Sequence, residues 1–534
     1  MIHEKALPQR FKPQSGPSSN CVRGLLRCIG LALFIGLAAC AATTPPPPPT
    51  VEKPAEKTEV ARMFATILDN VHKMYLDEFP VAKLAVSGLS GLKKLEPAAA
   101  IRSGDNRIEL LINGTAIGYI APPQGNDADS WASAIEELIE SGRKVSTKLA
   151  EAEIEKIYQV TIDSILTDLD RYTRYDGKLA GRRNRETREG FGGIGVSIVR
   201  HDDGVLIKTV TSDLPASRAG VIPGDIFVNV DGTPLRGLSL RRSVRLLRGP
   251  HGKPVQVTVQ REHQADPIVL TISRTRIIPA TVHYQARKGY AYLRMTGFNQ
   301  DTTAELRQHV KKAVREFGGA LDGLVIDLRG NPGGLLDQAV SAADLFLQEG
   351  RISTTRGRHP DSLQLFDASV GEIAQDIPIV LLVNGASASA SEVLAAALQD
   401  HGRAVLIGSS SFGKGTVQTV IRLPNEGELI LTWARLHSPL GFDLNRIGVV
   451  PTLCTSGEKE IAAVLDRSFG GSTSRRQLAA SLPATNETRA TAGKRCPWQP
   501  HDGDDVDIAV AKRILEKPEL YKHALGRSAP TAGS

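Results

Sequence analysis

Apolar positions recur every four residues at the start of the folded body. Met63, Ile67, Val71 and Tyr75 would share one helix face across residues 61–78. Residues 107–112 and 116–120 read as two short strands about Asn113-Gly114, a hairpin turn signal. Residues 130–141 and 151–169 return to helical spacing, and the arginine-dense stretch 171–188 reads as a solvated connector. Beyond Gly190 strands are predicted at 197–199, 205–210, 226–230 and 255–260, with a helix at 240–248. After Arg276 strand and helix alternate. Strands are predicted at 290–295, 324–328, 379–383, 404–408, 416–423 and 429–436, and helices at 303–317 and 335–347. This is an α/β layout. One helix at 506–515 and a disordered end complete the chain.

The N-terminus follows a different pattern. Arg23 and Arg27 precede an apolar run at 29–39. As a helix that run spans about 16 Å, too short for a ~30 Å hydrocarbon core. Charge, a short apolar run and small residues together predict a secretory signal. The stretch before Val22 is long for one; a start near Val22 would be more ordinary. The run ends Leu37-Ala38-Ala39-Cys40, which resembles the bacterial lipobox, so Cys40 is expected to be lipidated. Pro45 to Pro49 and Glu/Lys/Pro-rich sequence then form a semi-rigid spacer. A bacterial envelope location follows, periplasm-facing and lipid-anchored, with the outer membrane favoured by Ala41. Cys454 and Cys496 are the thiols left in the mature body, where one disulfide or two free thiols are equally open.

Composition narrows the classes. The chain has 534 residues, 41% of them apolar and 23% charged, which excludes whole-chain disorder. The net charge is +7, but residues 1–39 hold five basic residues and one acid, so +4 belongs to the targeting segment. With aromatics at 5% as well, nothing argues for a nucleic-acid partner. No cysteine pair has CxxC spacing, and no metal or cofactor is expected.

Three segments carry candidate chemistry. Asp327-Leu328-Arg329-Gly330-Asn331-Pro332-Gly333-Gly334 lies between a strand and a helix, where backbone N–H groups are free to face an oxyanion. Taken alone it would be a tight turn. Asn384-Gly385-Ala386-Ser387-Ala388-Ser389-Ala390-Ser391-Glu392 is also a strand-to-helix turn. Ser389 with Glu392 fits a helix-capping box, and Ser387 or Ser391 could cap equally well. Ser411-Phe412-Gly413-Lys414-Gly415 places a lysine between glycines, 25 residues after Ser389. Upstream, Gly190-Phe191-Gly192-Gly193-Ile194-Gly195-Val196 leads into a strand. Pro215-Ala216-Ser217-Arg218-Ala219-Gly220-Val221-Ile222-Pro223-Gly224-Asp225 follows. A glycine loop of this kind can hold a peptide's terminal carboxylate while the peptide adds as a strand.

The glycine loop and the Pro-Ala-x-x-Ala-Gly-x-x-Pro-Gly-Asp run resemble a protease-associated PDZ domain, with Gly193, Ile194, Gly195 and Val196 as its peptide-binding loop. The segments at 327–334, 388–392, 398–404 and 412–418 resemble the C-terminal processing peptidases, or tail-specific proteases, over residues 150–455. That resemblance implies a serine–lysine dyad with Ser389 as nucleophile, Lys414 as general base and Gln418 as the residue orienting the lysine. It implies an oxyanion hole at the backbone of Ala390 and of Gly333 or Gly334. Asp400 matches an acidic position of some members and is read as structural. Residues 80–145 and those beyond 457 find no counterpart, and His437-Ser438-Pro439-Leu440-Gly441-Phe442 stands where members have a Pro-Ser-Gly turn.

The expected architecture is multidomain α/β. A signal at 1–39 and a lipidated cysteine with spacer at 40–60 precede a mostly helical region at 61–189. A PDZ domain at 190–275, a partly open β-barrel with helices, precedes a serine peptidase core at 276–455 of the crotonase/ClpP-like kind. The region 456–534 holds one helix and a disordered tail. The expected activity is that of a serine endopeptidase acting on proteins or peptides with apolar C-termini, with an adaptor or self-association left open. The alternative is a catalytically silent, lipid-anchored PDZ scaffold. A crotonase-type acyl-CoA enzyme would explain neither the PDZ domain nor the secretion signal.

Overall fold

The computed structural model describes residues 2–4, 57–104, 106–469, 486–499 and 505–528. The signal, Cys40 and the proline spacer lie outside the described residues, apart from Ile2–Glu4, which pairs parallel to the strand Thr416–Arg422.

The centre is a six-stranded sheet in the order Val282–Arg287, Tyr290–Met295, Gly323–Asp327, Ile379–Val383, Val405–Gly408 and Leu453–Cys454. Its first pair is antiparallel and the others are parallel. Gly323–Asp327 and Ile379–Val383 are buried at every residue, as central parallel strands covered on both faces should be. The helices Thr302–Phe317, Leu336–Asp344 and Ala390–Asp400 fill one face with Leu306, Val310, Ala339, Leu394 and Leu398. Val510, Ile514 and Tyr521 from the C-terminal helices fill the other.

A second sheet stands beside it, with Thr416–Arg422, Glu428–His437, Arg351–Arg356 and Gln364–Asp367 in order. The PDZ body is a separate sheet ordered Ile268–Ser273, Pro254–Gln260, Ile226–Val230, Gly204–Val210 and Val196–His201, with the helix Leu240–Leu247 against it. Phe227, Val230, Val255 and Val257 close its own small core.

The N-terminal region differs from expectation in three ways. It adds a strand, Ala99–Ser103, to the expected hairpin, making a three-stranded sheet, and a helix, Val81–Ser90. The predicted helix at 151–169 breaks into Thr147–Glu151 and Ile154–Ile165, with Ala152 extended between them. The third difference matters most. The stretch 171–188 is not a solvated connector. Arg174–Asp176 joins the second sheet, and Lys178–Glu189 is a helix whose Arg188 is buried. Arg188 holds Glu428 through Nη2 at 2.8 Å and Nη1 at 3.2 Å, and Arg185 adds a third contact at 2.9 Å. Leu423, Leu429 and Leu431 of the peptidase hairpin lie in the N-terminal region's apolar cluster, so the two share one core. The tail differs too. Where one helix was expected, the described residues beyond 456 form Ile461–Phe469, Asn486–Arg495, Val506–Leu515 and Pro518–Ser528, and the last docks on the central sheet, where Tyr521 Oη accepts from Ile379 N–H at 3.0 Å.

Candidate active site

The three sequence segments meet at one end of the central sheet, where its parallel strands finish. Backbone and side-chain hydrogen bonds join them. Ala388 N–H donates to Asn331 O at 3.0 Å, and Ser391 Oγ donates to the same oxygen at 3.0 Å. Ser387 Oγ reaches Leu328 O at 2.9 Å, and Asn384 Oδ1 accepts from Gly330 N–H at 3.0 Å. Phe412 N–H donates to Ser387 O at 3.0 Å, which brings in the lysine loop.

Ser389 sits at the N-terminal end of the helix Ala390–Asp400, fully buried, with φ 63° and ψ −113°. A serine in this left-handed region carries strain of about 1–3 kcal/mol, which the surrounding bonds must hold. Its Oγ makes no hydrogen bond among the described residues. The alternative reading of Ser389 as a helix cap would occupy that hydroxyl, yet it has no partner among the described residues. Glu392 does the capping, through Oε2 to Ser389 N–H at 2.6 Å.

Glu392 does more than its S-x-x-E spacing announces. The same Oε2 accepts Lys414 N–H at 2.9 Å, and Oε1 accepts Gly413 N–H at 2.6 Å and Ser411 Oγ at 2.6 Å. One buried carboxylate thus fixes the serine turn to the lysine loop. Burial raises its pKa, while the four donors favour the anion. The S-x-x-E spacing was the available signal, but it speaks only of a local cap.

Lys414 is mostly enclosed, and burial lowers its pKa below the ordinary lysine range; Asp170 and Glu392 pull the other way. Its Nζ lies 4.9 Å from the centre of the Tyr172 ring. Tyr172 comes from the supposed connector and Asp170 immediately precedes it, a contribution no local pattern announced. Gln418 is buried on the strand Thr416–Arg422, and its Nε2 donates to Thr416 Oγ1 at 2.9 Å and Thr432 Oγ1 at 3.1 Å. Thr432 Oγ1 donates in turn to Asp170 Oδ1 at 3.0 Å.

The glycine pair lies against the serine. A methyl group on Gly333 would come within 2.9 Å of Ala390 N and of Ser389 Cβ, and its φ of +98° favours glycine independently. Gly333 N–H is already given to Asn331 Oδ1 at 2.9 Å, so the Gly333 member of the expected oxyanion pair is engaged. Gly334 N–H and Ala390 N–H have no partner among the described residues. Asp327 and Arg329 face away from the serine. Arg329 binds Asp327 through Nη2 at 2.7 Å and Asp507 through Nη1 at 2.9 Å, tying the turn to the C-terminal helix. Asp400 accepts from Ser438 Oγ at 2.5 Å and Leu440 N–H at 3.3 Å, which is a structural use.

Elsewhere, Gly193, Ile194, Gly195 and Val196 line a cleft of about 480 Å³ between their strand and the helix Leu240–Leu247. Cys454 and Cys496 are joined at sulfur, with Cα atoms 5.9 Å apart.

Residues 289–454 match the family model for Peptidase family S41, and residues 192–271 that for the PDZ domain. A carboxy-terminal-processing protease of Bartonella bacilliformis is 38% identical over 301 residues, 56% of this chain and 69% of that protein. The chain belongs to the carboxy-terminal-processing proteases of family S41. This is a serine-type peptidase family, and both the PDZ domain and the peptidase core are present here. A probable CtpA-like serine protease of Staphylococcus aureus is 33% identical over 301 residues, which are 60% of its length. Among solved structures, a photosystem II D1 C-terminal processing protease is 25% identical, with a TM-score of 0.38, covering 78% of this protease and 98% of that chain.

Proposed function

We propose that this protease is an endopeptidase of the cell envelope that grips protein C-termini in the PDZ cleft and cuts by a Ser389–Lys414 dyad. The observation that carries the dyad is Ser389 itself. Its hydroxyl is buried, unpartnered among the described residues and held at a strained φ, and Glu392 ties its turn to the loop of Lys414, whose charge burial disfavours.

A free lysine, with a pKa near ~10.4, would be protonated at neutral pH and useless as a base. Burial makes the neutral amine accessible, and that amine takes the Ser389 proton as Oγ attacks the scissile carbonyl. The resulting oxyanion takes the N–H groups of Ala390 and Gly334. Collapse breaks the C–N bond, and Lys414 returns its proton to the leaving amine. The acyl-enzyme ester is then opened by water, activated by the same lysine. Gln418 gives both amide hydrogens to threonine hydroxyls, so its carbonyl oxygen is the end left to meet the amine.

The anchor and compartment belong to the same proposal. The lipobox-like Leu37-Ala38-Ala39-Cys40 supports lipidation at Cys40, and the proline spacer would hold the body off a membrane facing the periplasm. The joined Cys454–Cys496 pair supports that compartment, because such bonds persist in oxidising surroundings.

The test is cleavage of an unstructured, apolar-tailed peptide. Ser389→Ala and Lys414→Ala should each lower the rate by at least about 10³-fold with the fold retained by circular dichroism. Near-normal cleavage by both variants would overturn the dyad. A wild-type protein that binds tails without cutting them would restore the scaffold reading.

A further inference from the structure

The helix beside the PDZ cleft carries two parallel stripes. Leu240, Val244 and Leu247 stand at i, i+4 and i+7 and line the cleft. One residue on, Arg241, Arg245 and Arg248 repeat that spacing, about 100° further round the helix. Arg248 also lines the cleft; it lies over the Phe191 ring and binds Glu186 at 2.9 Å. Arg241 and Arg245 are exposed and form no ion pair among the described residues. Across the cleft, Arg200 is exposed on the strand that supplies Val196 and Ile198.

Three of the domain's seven acids are paired elsewhere, and no acid lines the cleft. Asp203 pairs with Arg236, Asp225 with Arg261 and Asp231 with Arg274. The segment from Leu240 to Arg248 contains four arginines and no acid. The cleft thus has an apolar floor for one side chain and a basic rim above it.

We propose that this cleft selects protein tails in which Asp or Glu precede an apolar terminal residue. The inference rests on the reading of the cleft as the grip for C-termini. A peptide added along the strand Val196–His201 would place its terminal side chain on Leu240, Val244 and Leu247. Its preceding residues would pass along the arginine stripe. Exposed ion pairs of this kind are weak, so the preference is a matter of several-fold and salt screens it.

The experiment uses the full chain carrying Ser389→Ala, so that bound peptides survive, with fluorescent peptides read by anisotropy. One peptide has Asp and Glu before a terminal leucine; a second has Asn and Gln there; a third is the acidic peptide amidated at its C-terminus. The acidic peptide should bind roughly fivefold tighter than its amide-side-chain partner, and added salt should erode the difference. The double change Arg241→Gln and Arg245→Gln should erase it. Equal binding of the first two, or a preference that survives the arginine changes, would overturn the selectivity. If amidation changes nothing, the grip on C-termini fails, and the selectivity with it. Arginine-dependent binding to phosphatidylglycerol vesicles without any peptide preference would assign the stripe to lipid instead.

Discussion

The catalytic pocket and the PDZ cleft solve opposite problems. Around Ser389 most polar groups have an assigned partner, while the serine hydroxyl and the N–H groups of Ala390 and Gly334 have none among the described residues. The carboxylate of Glu392 alone collects donors from residues 389, 411, 413 and 414. The cleft is built the other way, with half-exposed Val196, Ile198 and Val244 and a rim of exposed arginines. Bond-making demands atoms held within a fraction of an ångström, whereas recognition of many tails tolerates movement. Strain and burial are therefore concentrated in one region and open apolar surface in the other.

The contrast can be broken from the rigid side first. Arg188→Ala would leave Glu428 buried without its main partner. We expect a loss of about 3–5 kcal/mol in chemical denaturation, with activity lost in parallel. If stability barely changes, the arginine-rich helix is not part of the protease core. Gly333→Ala should lower turnover by roughly 10²-fold while costing only about 1–3 kcal/mol, because its methyl group meets the serine turn. Kinetics beside a melting curve separate these two losses.

The cleft should respond more softly. Val244→Asp would put a charge on its apolar floor and raise the KM of a long apolar-tailed substrate by roughly tenfold, with little change in kcat. A drop in kcat of the same size would mean that the two regions are not separable. The smallest effect concerns pH. Cleavage should fall on the acid side as Lys414 takes up its proton. Asp170 favours that proton, so Asp170→Asn should move the acid limb toward lower pH. A shift toward higher pH would remove Asp170 from the lysine's surroundings.

Much of this was legible in local sequence. The strand at 379–383, the hairpin about Asn113-Gly114 and the three catalytic segments were visible because each is a short-range pattern: a period, a turn or a motif. The arginine-rich stretch 171–188 was misread for the same reason. Charge normally marks solvent, and the acid that buries Arg188 lies 240 positions away. The helix Pro518–Ser528 was missed because its apolar partners sit on a distant sheet. Glu392 was seen as a cap because its local bond is to Ser389; its other three donors come from a loop some twenty residues on.

The sequence by itself singled out the segments that hold the proposed chemistry, and the order of the PDZ domain and the peptidase core. Glycines, a serine at a helix start and a lysine between glycines are constraints that the local backbone imposes. The tertiary structure decided how that chemistry is held. It buried Lys414 beside Tyr172, engaged Gly333 N–H with Asn331 while leaving Gly334 N–H without a partner among the described residues, and buried Arg188 of an arginine-rich helix against Glu428. Burial and electrostatic pairing depend on neighbours in space, and here those neighbours lie far apart along the chain.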